Sequence, residues 1–288
     1  MQRSAQVMGL TIVVLSALTM VIWMAVAQAS TSGVVRVTFL DVGQGDAIFV
    51  QAPSGAQMLI DGGKNRAVIR ELSHVMPLFD RSIDVVLATH PDSDHIGGLP
   101  DVLKRYRVGM VVQSSVLDPD GTDAAALEDA VAREGEEGAV QLVAERGQVI
   151  DLGDGVTFEI LFPDRAVTEI ETNTGSIVGR LVYGNTSFML TGDSPQEIEK
   201  YVVMLDAEGL KSDVLKAGHH GSRTSSSLQY VGYVSPEYAV FSRGCDNSYG
   251  HPHEEPVAIF ARLGIETFDT CEDGAVTFES DGNTVRVK

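Results

Sequence analysis

Thr89-His90-Pro91-Asp92-Ser93-Asp94-His95-Ile96-Gly97-Gly98 packs two histidines and two aspartates into six residues. Ahead of it, Ile83-Asp84-Val85-Val86-Leu87-Ala88 is a short apolar run rich in β-branched residues, which reads as a buried strand. Behind it, Leu99 to Tyr106 carries apolar residues at helical spacing and opens with Pro100, suited to the first turn of a helix. The four polar side chains therefore share one tight loop between a strand end and a helix start. They cannot spread apart, and the carboxylates would repel each other without a cation between them. Histidine and aspartate are ligands that zinc, manganese and iron accept. A merely solvated polar loop is the competing reading, and this crowding argues against it. His90, Asp92, Asp94 and His95 are candidate metal ligands.

Three other stretches repeat the plan of an apolar strand that ends in glycine and polar chemistry. Met58-Leu59-Ile60-Asp61-Gly62-Gly63 ends in a carboxylate, and Ser187-Phe188-Met189-Leu190-Thr191-Gly192-Asp193 does the same before a helix expected over 195–204. Ser212-Asp213-Val214-Leu215-Lys216-Ala217-Gly218-His219-His220-Gly221-Ser222 ends in paired histidines. Adjacent residues of a strand point to opposite faces, so His219 and His220 are not expected to be equivalent ligands. The hydroxyl-rich loop after them, with Ser222, Ser225 and Arg223, offers contacts for phosphate oxygens, although serine-rich loops also serve simply as turns. Lys216 either neutralises phosphate charge or snorkels from its strand. His74, alone in an expected helix before Pro77, is read as structural.

The His-x-Asp-x-Asp-His-x-Gly-Gly pattern after a strand resembles the metallo-β-lactamase superfamily, whose usual form is His-x-His-x-Asp-His. More narrowly, it is similar to the ComEC-type hydrolase domain of DNA-uptake proteins, over Val34 to Lys288. Asp41-Val42-Gly43-Gln44-Gly45-Asp46-Ala47 and Asn247-Ser248-Tyr249-Gly250-His251-Pro252-His253 carry the same likeness. The resemblance implies an αββα four-layer sandwich with metals at one edge. One site would use His90 and Asp92, the other Asp94, His95 and His219, with Asp193 bridging them. Asp46 and Asp61 would support the ligands from behind. His220 would orient His219 or touch substrate, Asp94 would also orient the attacking water, and His251 would donate a proton or contact phosphate. No histidine lies between His95 and His219, where the superfamily usually has a ligand. Asn173, in Thr172-Asn173-Thr174-Gly175-Ser176, stands at the corresponding place as a weak contact to a metal or its water. Two divalent ions are expected, with full occupancy of one of them open. Asp92 in place of histidine makes the first site more oxygen-rich, so manganese competes with zinc.

The chain has 288 residues, 44% of them hydrophobic, and a formal charge of -19. That length can bury a substantial core. Such an acidic surface repels phosphate backbones, which excludes tight non-specific nucleic-acid binding. The first thirty residues contain Arg3 as their one charged group, and 7–27 form an uncharged run long enough for a bilayer. Residues 1–30 are read as a single-pass anchor, with the hydrolase domain over 34–288 outside the cytoplasmic membrane. The alternative is a signal peptide cleaved at Ala27-Gln28-Ala29, giving a secreted protein. Cys245 and Cys271 lack the spacing of a zinc site, and an exported chain permits a disulfide without establishing it.

The expected function is that of a metal-dependent phosphodiesterase, a nuclease acting on DNA outside the cytoplasmic membrane, with a DNA-uptake channel as candidate partner. With at most one membrane-spanning run, the chain reads as a stand-alone hydrolase domain. Another envelope phosphodiester or ester, of choline or teichoic-acid type, is the alternative substrate. A non-catalytic, metal-bound scaffold of a DNA-uptake or envelope complex is the alternative from a different class.

Overall fold

The computed structural model describes residues 2–29, 33–166 and 168–288, and within the N-terminal helix the side chains of 8–23. The apolar runs become strands of two sheets. The first is built from β1 (Val35–Phe39), β2 (Ile48–Gln51), β3 (Gln57–Ile60), β4 (Ser82–Ala88), β5 (Arg107–Gln113) and β6 (Val140–Val143). The second contains β7 (Val149–Asp151), β8 (Val156–Phe162), β9 (Val178–Tyr183), β10 (Thr186–Leu190), β11 (Val214–Lys216), β12 (Tyr238–Phe241) and β13 (Glu266–Asp269). The chain then returns to the first sheet as β14 (Val276–Ser280) and β15 (Val285–Val287). The strand orders are β15-β14-β1-β2-β3-β4-β5-β6 and β13-β12-β11-β10-β9-β8-β7.

Direction within the sheets decides where the polar strand ends collect. From β3 to β6 neighbouring strands are parallel, and so are those from β10 to β13. Their carboxyl ends therefore share one edge of each sheet, and in open α/β sheets that edge is where ligands bind. Asp61, His90, Asp193 and the histidine pair all follow such ends.

The sheets face each other through Val37, Phe39 and Leu87 on one side and Phe158, Phe188 and Val240 on the other. Phe278 sits among the rings of Phe39, Phe188, Tyr238 and Phe268, at centroid distances of 5.6–6.2 Å. Burying a side chain of this size stabilises the fold by roughly 1.5–3 kcal/mol. The outer face of the first sheet is covered by α2 (Ala67–Val75), α4 (Leu99–Arg105) and α5 (Thr122–Glu136), through Leu72, Val102 and Leu127. On the second sheet α6 (Gln196–Asp206), α7 (Leu228–Val234) and α8 (Glu254–Leu263) contribute Val202, Tyr230 and Phe260. The layers run helix, sheet, sheet, helix, as an αββα sandwich.

The N-terminal helix α1 (Gln2–Ala29) has Leu10, Leu15 and Trp23 among its exposed apolar side chains. Among the described residues no helix is long and apolar enough to cross a membrane. The anchor or signal reading of 1–30 falls partly on side chains outside the described residues. The Ser30 end of that segment lies outside them altogether. Cys245 and Cys271 form a disulfide with Cα atoms 5.0 Å apart.

Candidate metal centre

Four local devices bring the site together. The metal loop leaves β4, forms the short helix α3 (Ser93–Ile96), and enters α4. The β1–β2 connection lies against it, with Asp46 N donating to the Asp94 carbonyl at 3.2 Å. A Cβ on Gly45 would lie 1.6 Å from that same carbonyl oxygen, and its φ is +99°, so glycine alone fits there. Asp61 itself has φ 59°, a left-handed conformation that aspartate tolerates better than most residues. His219 and His220 are also left-handed, with φ of 48° and 55°.

Those two φ values correct the expectation for the histidine pair. β11 stops at Lys216, and a tight turn over Gly218–Gly221 replaces the extended chain, so alternation between faces does not apply. Both rings turn toward Asp193. His220 is buried, and its Nε2 lies 3.2 Å from Asp193 Oδ2, 3.3 Å from His95 Nε2 and 3.4 Å from Asp94 Oδ2. His219 stands on the open side, with Nε2 3.6 Å from Asp193 Oδ2 and Nδ1 3.2 Å from the Thr224 hydroxyl. His220, not His219, is the histidine in the inner cluster.

Every inner histidine has its Nδ1 matched to a partner. His95 Nδ1 donates to Asp61 Oδ2 at 2.7 Å, and His220 Nδ1 donates to the Ser242 carbonyl at 2.8 Å. The Thr89 hydroxyl donates to Asp61 Oδ2 at 2.7 Å, which leaves its oxygen to accept from His90 Nδ1 at 3.0 Å. These partners place a proton on Nδ1 of all three rings. Nε2 is left as the ring nitrogen facing the carboxylates, the position of a metal ligand's lone pair. Burial opposes charge on His95 and His220, but Asp193 outweighs it and raises both well above the usual imidazole pKa, so a bound metal would replace the proton on Nε2 there. His90 Nε2 is buried and has no hydrogen-bond partner among the described residues.

The spacings match a cation site. Donors about 2.0–2.1 Å from one ion at tetrahedral corners lie about 3.3–3.4 Å from one another. His95 Nε2, His220 Nε2 and Asp193 Oδ2 lie 3.2–3.3 Å from one another, and Asp94 Oδ2 joins them through His220 Nε2 at 3.4 Å. Asp46, His95, Asp193 and His220 also form a buried group with donor atoms within 4.8 Å of one another. Asp46, however, lies on the Nδ1 side of His220, with Oδ1 3.3 Å from that nitrogen, so it backs the ligands and does not face the ion. His90 Nε2 and Asp92 Oδ2, 3.7 Å apart, offer a second pair of donors in the same loop. The donors therefore fit divalent metal.

Lys216 corrects a further expectation. It neither snorkels nor reaches substrate, because its side chain is fully buried beneath the cluster. Nζ lies 2.6 Å from Asp46 Oδ2, 3.2 Å from Asp193 Oδ1 and 2.9 Å from the Gly192 carbonyl. Burial opposes the ammonium charge, but Asp46 and Asp193 outweigh it and hold the lysine pKa above its usual value. Burial likewise opposes the charge on Asp46, and Lys216 with His220 reverses the balance, pulling that carboxyl down to about 2.

The remaining expected residues divide between the site and its frame. Ser225 spends its hydroxyl on the Ser194 carbonyl at 2.8 Å, and Ser222 Oγ accepts from the Thr224 hydroxyl at 3.0 Å. Both serines are buried and brace the loop, which corrects their reading as phosphate contacts. Asn173 opens a turn whose Ser176 Oγ accepts from Asp193 N at 3.2 Å, while its own Oδ1 is buried without a partner among the described residues. The His251 ring lies 5.5 Å from His219 and 6.2 Å from His220, centre to centre. Burial and the neighbouring histidines push its pKa down to about 4, so it is neutral near pH 7. Thr89, Ser242 and Gln44, whose Nε2 donates to Asp94 Oδ2 at 3.3 Å, escaped the sequence reading. Only the position of Thr89 beside His90 and of Gln44 beside Asp46 hinted at them.

A sandwich of this layering with histidine and carboxylate donors at the carboxyl edge defines a class of metal-dependent hydrolases. A family model described as the metallo-beta-lactamase superfamily matches residues 40–244, and the chain belongs to that superfamily. Among curated proteins it is 31% identical over 260 residues to ComE operon protein 3 of Bacillus subtilis, covering 84% of this chain and 33% of that protein. It is 33% identical over 246 residues to the competence protein ComA of Neisseria gonorrhoeae, covering 84% and 32%. The chain thus spans about a third of the length of these relatives. Among solved structures, the metallo hydrolase Igni18 of Ignicoccus hospitalis aligns with a TM-score of 0.54 at 14% identity, over 84% of this chain and 98% of that one, a likeness of fold.

Proposed function

We propose that this protein is a divalent-metal phosphodiesterase that cuts DNA outside the cytoplasmic membrane, tethered through residues 1–30 or released from them. The observation that carries the metal reading is the set of three buried histidines whose Nδ1 atoms are all matched to partners, leaving each Nε2 toward the carboxylates. The competence-protein relatives support DNA as the substrate and a DNA-uptake channel as the partner. Asp46, Asp61, Asp92, Asp94 and Asp193 crowd five carboxyls around the ammonium of Lys216, an acidic excess that divalent ions would offset. One ion would be held by Asp94, His95, Asp193 and His220, the other by His90 and Asp92 with Asp193 between them.

Bound there, such ions would activate water near neutral pH and stabilise charge building on a phosphoryl oxygen. The protein's own groups do the rest. Asp61, Thr89 and the Ser242 carbonyl fix the ring orientations, and Lys216 holds Asp193 by one oxygen so that the other faces His95 and His220. His219, on the open side with Thr224, is placed to meet a phosphoryl oxygen. His251, neutral at pH 7, can donate a hydrogen bond from its ring N–H to a phosphate or leaving-group oxygen.

The test uses the protein stripped of metal and reloaded with manganese or zinc, offered single-stranded DNA and bis-p-nitrophenyl phosphate side by side. Metal-dependent cutting of DNA, lost in Asp193→Ala by orders of magnitude, is expected. Cleavage of the small diester alone would move the substrate to an envelope phosphodiester, which the charge of -19 favours over a polyanion. No turnover on either with metal bound would leave a metal-bound scaffold.

A further inference from the structure

Behind the metal loop lies a cavity of about 800 Å³, unassigned by the chemistry above. That volume is within the roughly 300–1,000 Å³ of small-molecule sites. His90 and Pro91 form one wall, so an occupant would lie against the metal loop. Val116, Leu117, Leu127 and Leu142 make the other walls largely aliphatic.

Its charge is equally informative. The described lining includes Asp118 and Glu128 and neither lysine nor arginine, so a phosphate is repelled and a neutral group accepted. The wall amides are committed elsewhere. Gln113 Nε2 donates to Glu128 Oε1 at 2.9 Å, and Gln141 Nε2 donates to the Val131 carbonyl at 3.0 Å. A ligand would find apolar surface and few free donors to read its edge.

We infer that this cavity seats a nucleobase of the strand being cut, next to the scissile phosphate, by apolar contact and without reading its identity. The inference rests on the phosphodiesterase reading and adds to it the division of labour: the metal edge takes the phosphate, and the cavity takes the neutral part of the nucleotide. Largely aliphatic walls with few free donors discriminate only weakly between bases.

Ala125 lines the cavity from the exposed side of α5, so Ala125→Trp fills the space without entering the core. Binding of thymidine, deoxyadenosine, deoxyribose 5-phosphate and 1-hexanol to the full chain would be measured by equilibrium dialysis, without turnover. The two nucleosides should bind within about threefold of each other, and the sugar phosphate, held at the metal edge, should not displace them. Ala125→Trp should weaken both nucleosides by about tenfold or more while melting temperature and metal content stay unchanged. Nucleosides that fail to bind, or that bind the variant as tightly as the wild type, would overturn the inference. So would hexanol binding more tightly than either nucleoside and being lost in the variant, which would make this an alkyl site. The two readings fail separately. Nucleoside binding without DNA cleavage counts against the reaction, and cleavage without nucleoside binding counts against the cavity.

Discussion

Lys216→Met removes the cation between Asp46 and Asp193 and little else. Methionine nearly matches lysine in length and volume, so the packing change is small. What the variant loses is an ammonium that sits 2.6 Å from Asp46, 3.2 Å from Asp193 and 2.9 Å from the Gly192 carbonyl in a fully buried setting. Taking one partner from a buried ion pair costs about 3–5 kcal/mol, because the other charge stays buried without compensation. At about 2–4 °C per kcal/mol for a domain of this size, the metal-free variant should melt roughly 6–20 °C below the wild type. Bound metal should recover only part of this, since it can compensate Asp193 but not Asp46 on the far side of His220. Urea unfolding of both proteins, metal-free and metal-loaded, measures the loss. Asp46→Asn in the Lys216→Met background removes the stranded charge and should restore part of it. A loss under about 1 kcal/mol, or no recovery in the double variant, would refute the view that Lys216 is the counter-ion under the metal site.

Asp61→Asn should leave the fold intact but lower metal affinity about 10–100-fold, since His95 loses the carboxylate that fixes its tautomer; competition with a chelating dye reads this directly. The pair Cys245→Ser and Cys271→Ser removes a link between residues 26 apart, worth about 3.5 kcal/mol by loop entropy, and denaturant titration should register the drop. Glu279 is held below its usual pKa of 4.5 by Arg36 first and Arg286 next, so its contribution is present above that value and lost as pH falls through the depressed one. Glu279→Gln should therefore be less stable than the wild type at pH 7, by roughly 1 kcal/mol, and the gap should close in acid. A gap that widens on acidification would contradict that sign.

The crowding of His90, Asp92, Asp94 and His95 was legible in the sequence because six residues leave no room to separate them. The same holds for the strand runs that carry Asp61 and Asp193, whose apolar pattern and terminal glycines are local properties. Neighbours distant in sequence were a different matter. Whether His219 or His220 enters the cluster depends on a left-handed turn that no local pattern announces, and the family resemblance had implied His219. That Lys216 is buried depends on Asp46, which comes from the other sheet and lies 170 residues earlier in the chain. The hydrogen bonds that fix His95 and His220 reach across 34 and 22 residues, to a carboxylate and to a backbone carbonyl that no side-chain pattern announces. Sequence determined which groups could bind metal, since that is a matter of residue type and local spacing. Tertiary structure decided which of their atoms face the ion, because a lone pair is aimed by whatever holds the opposite side of the ring.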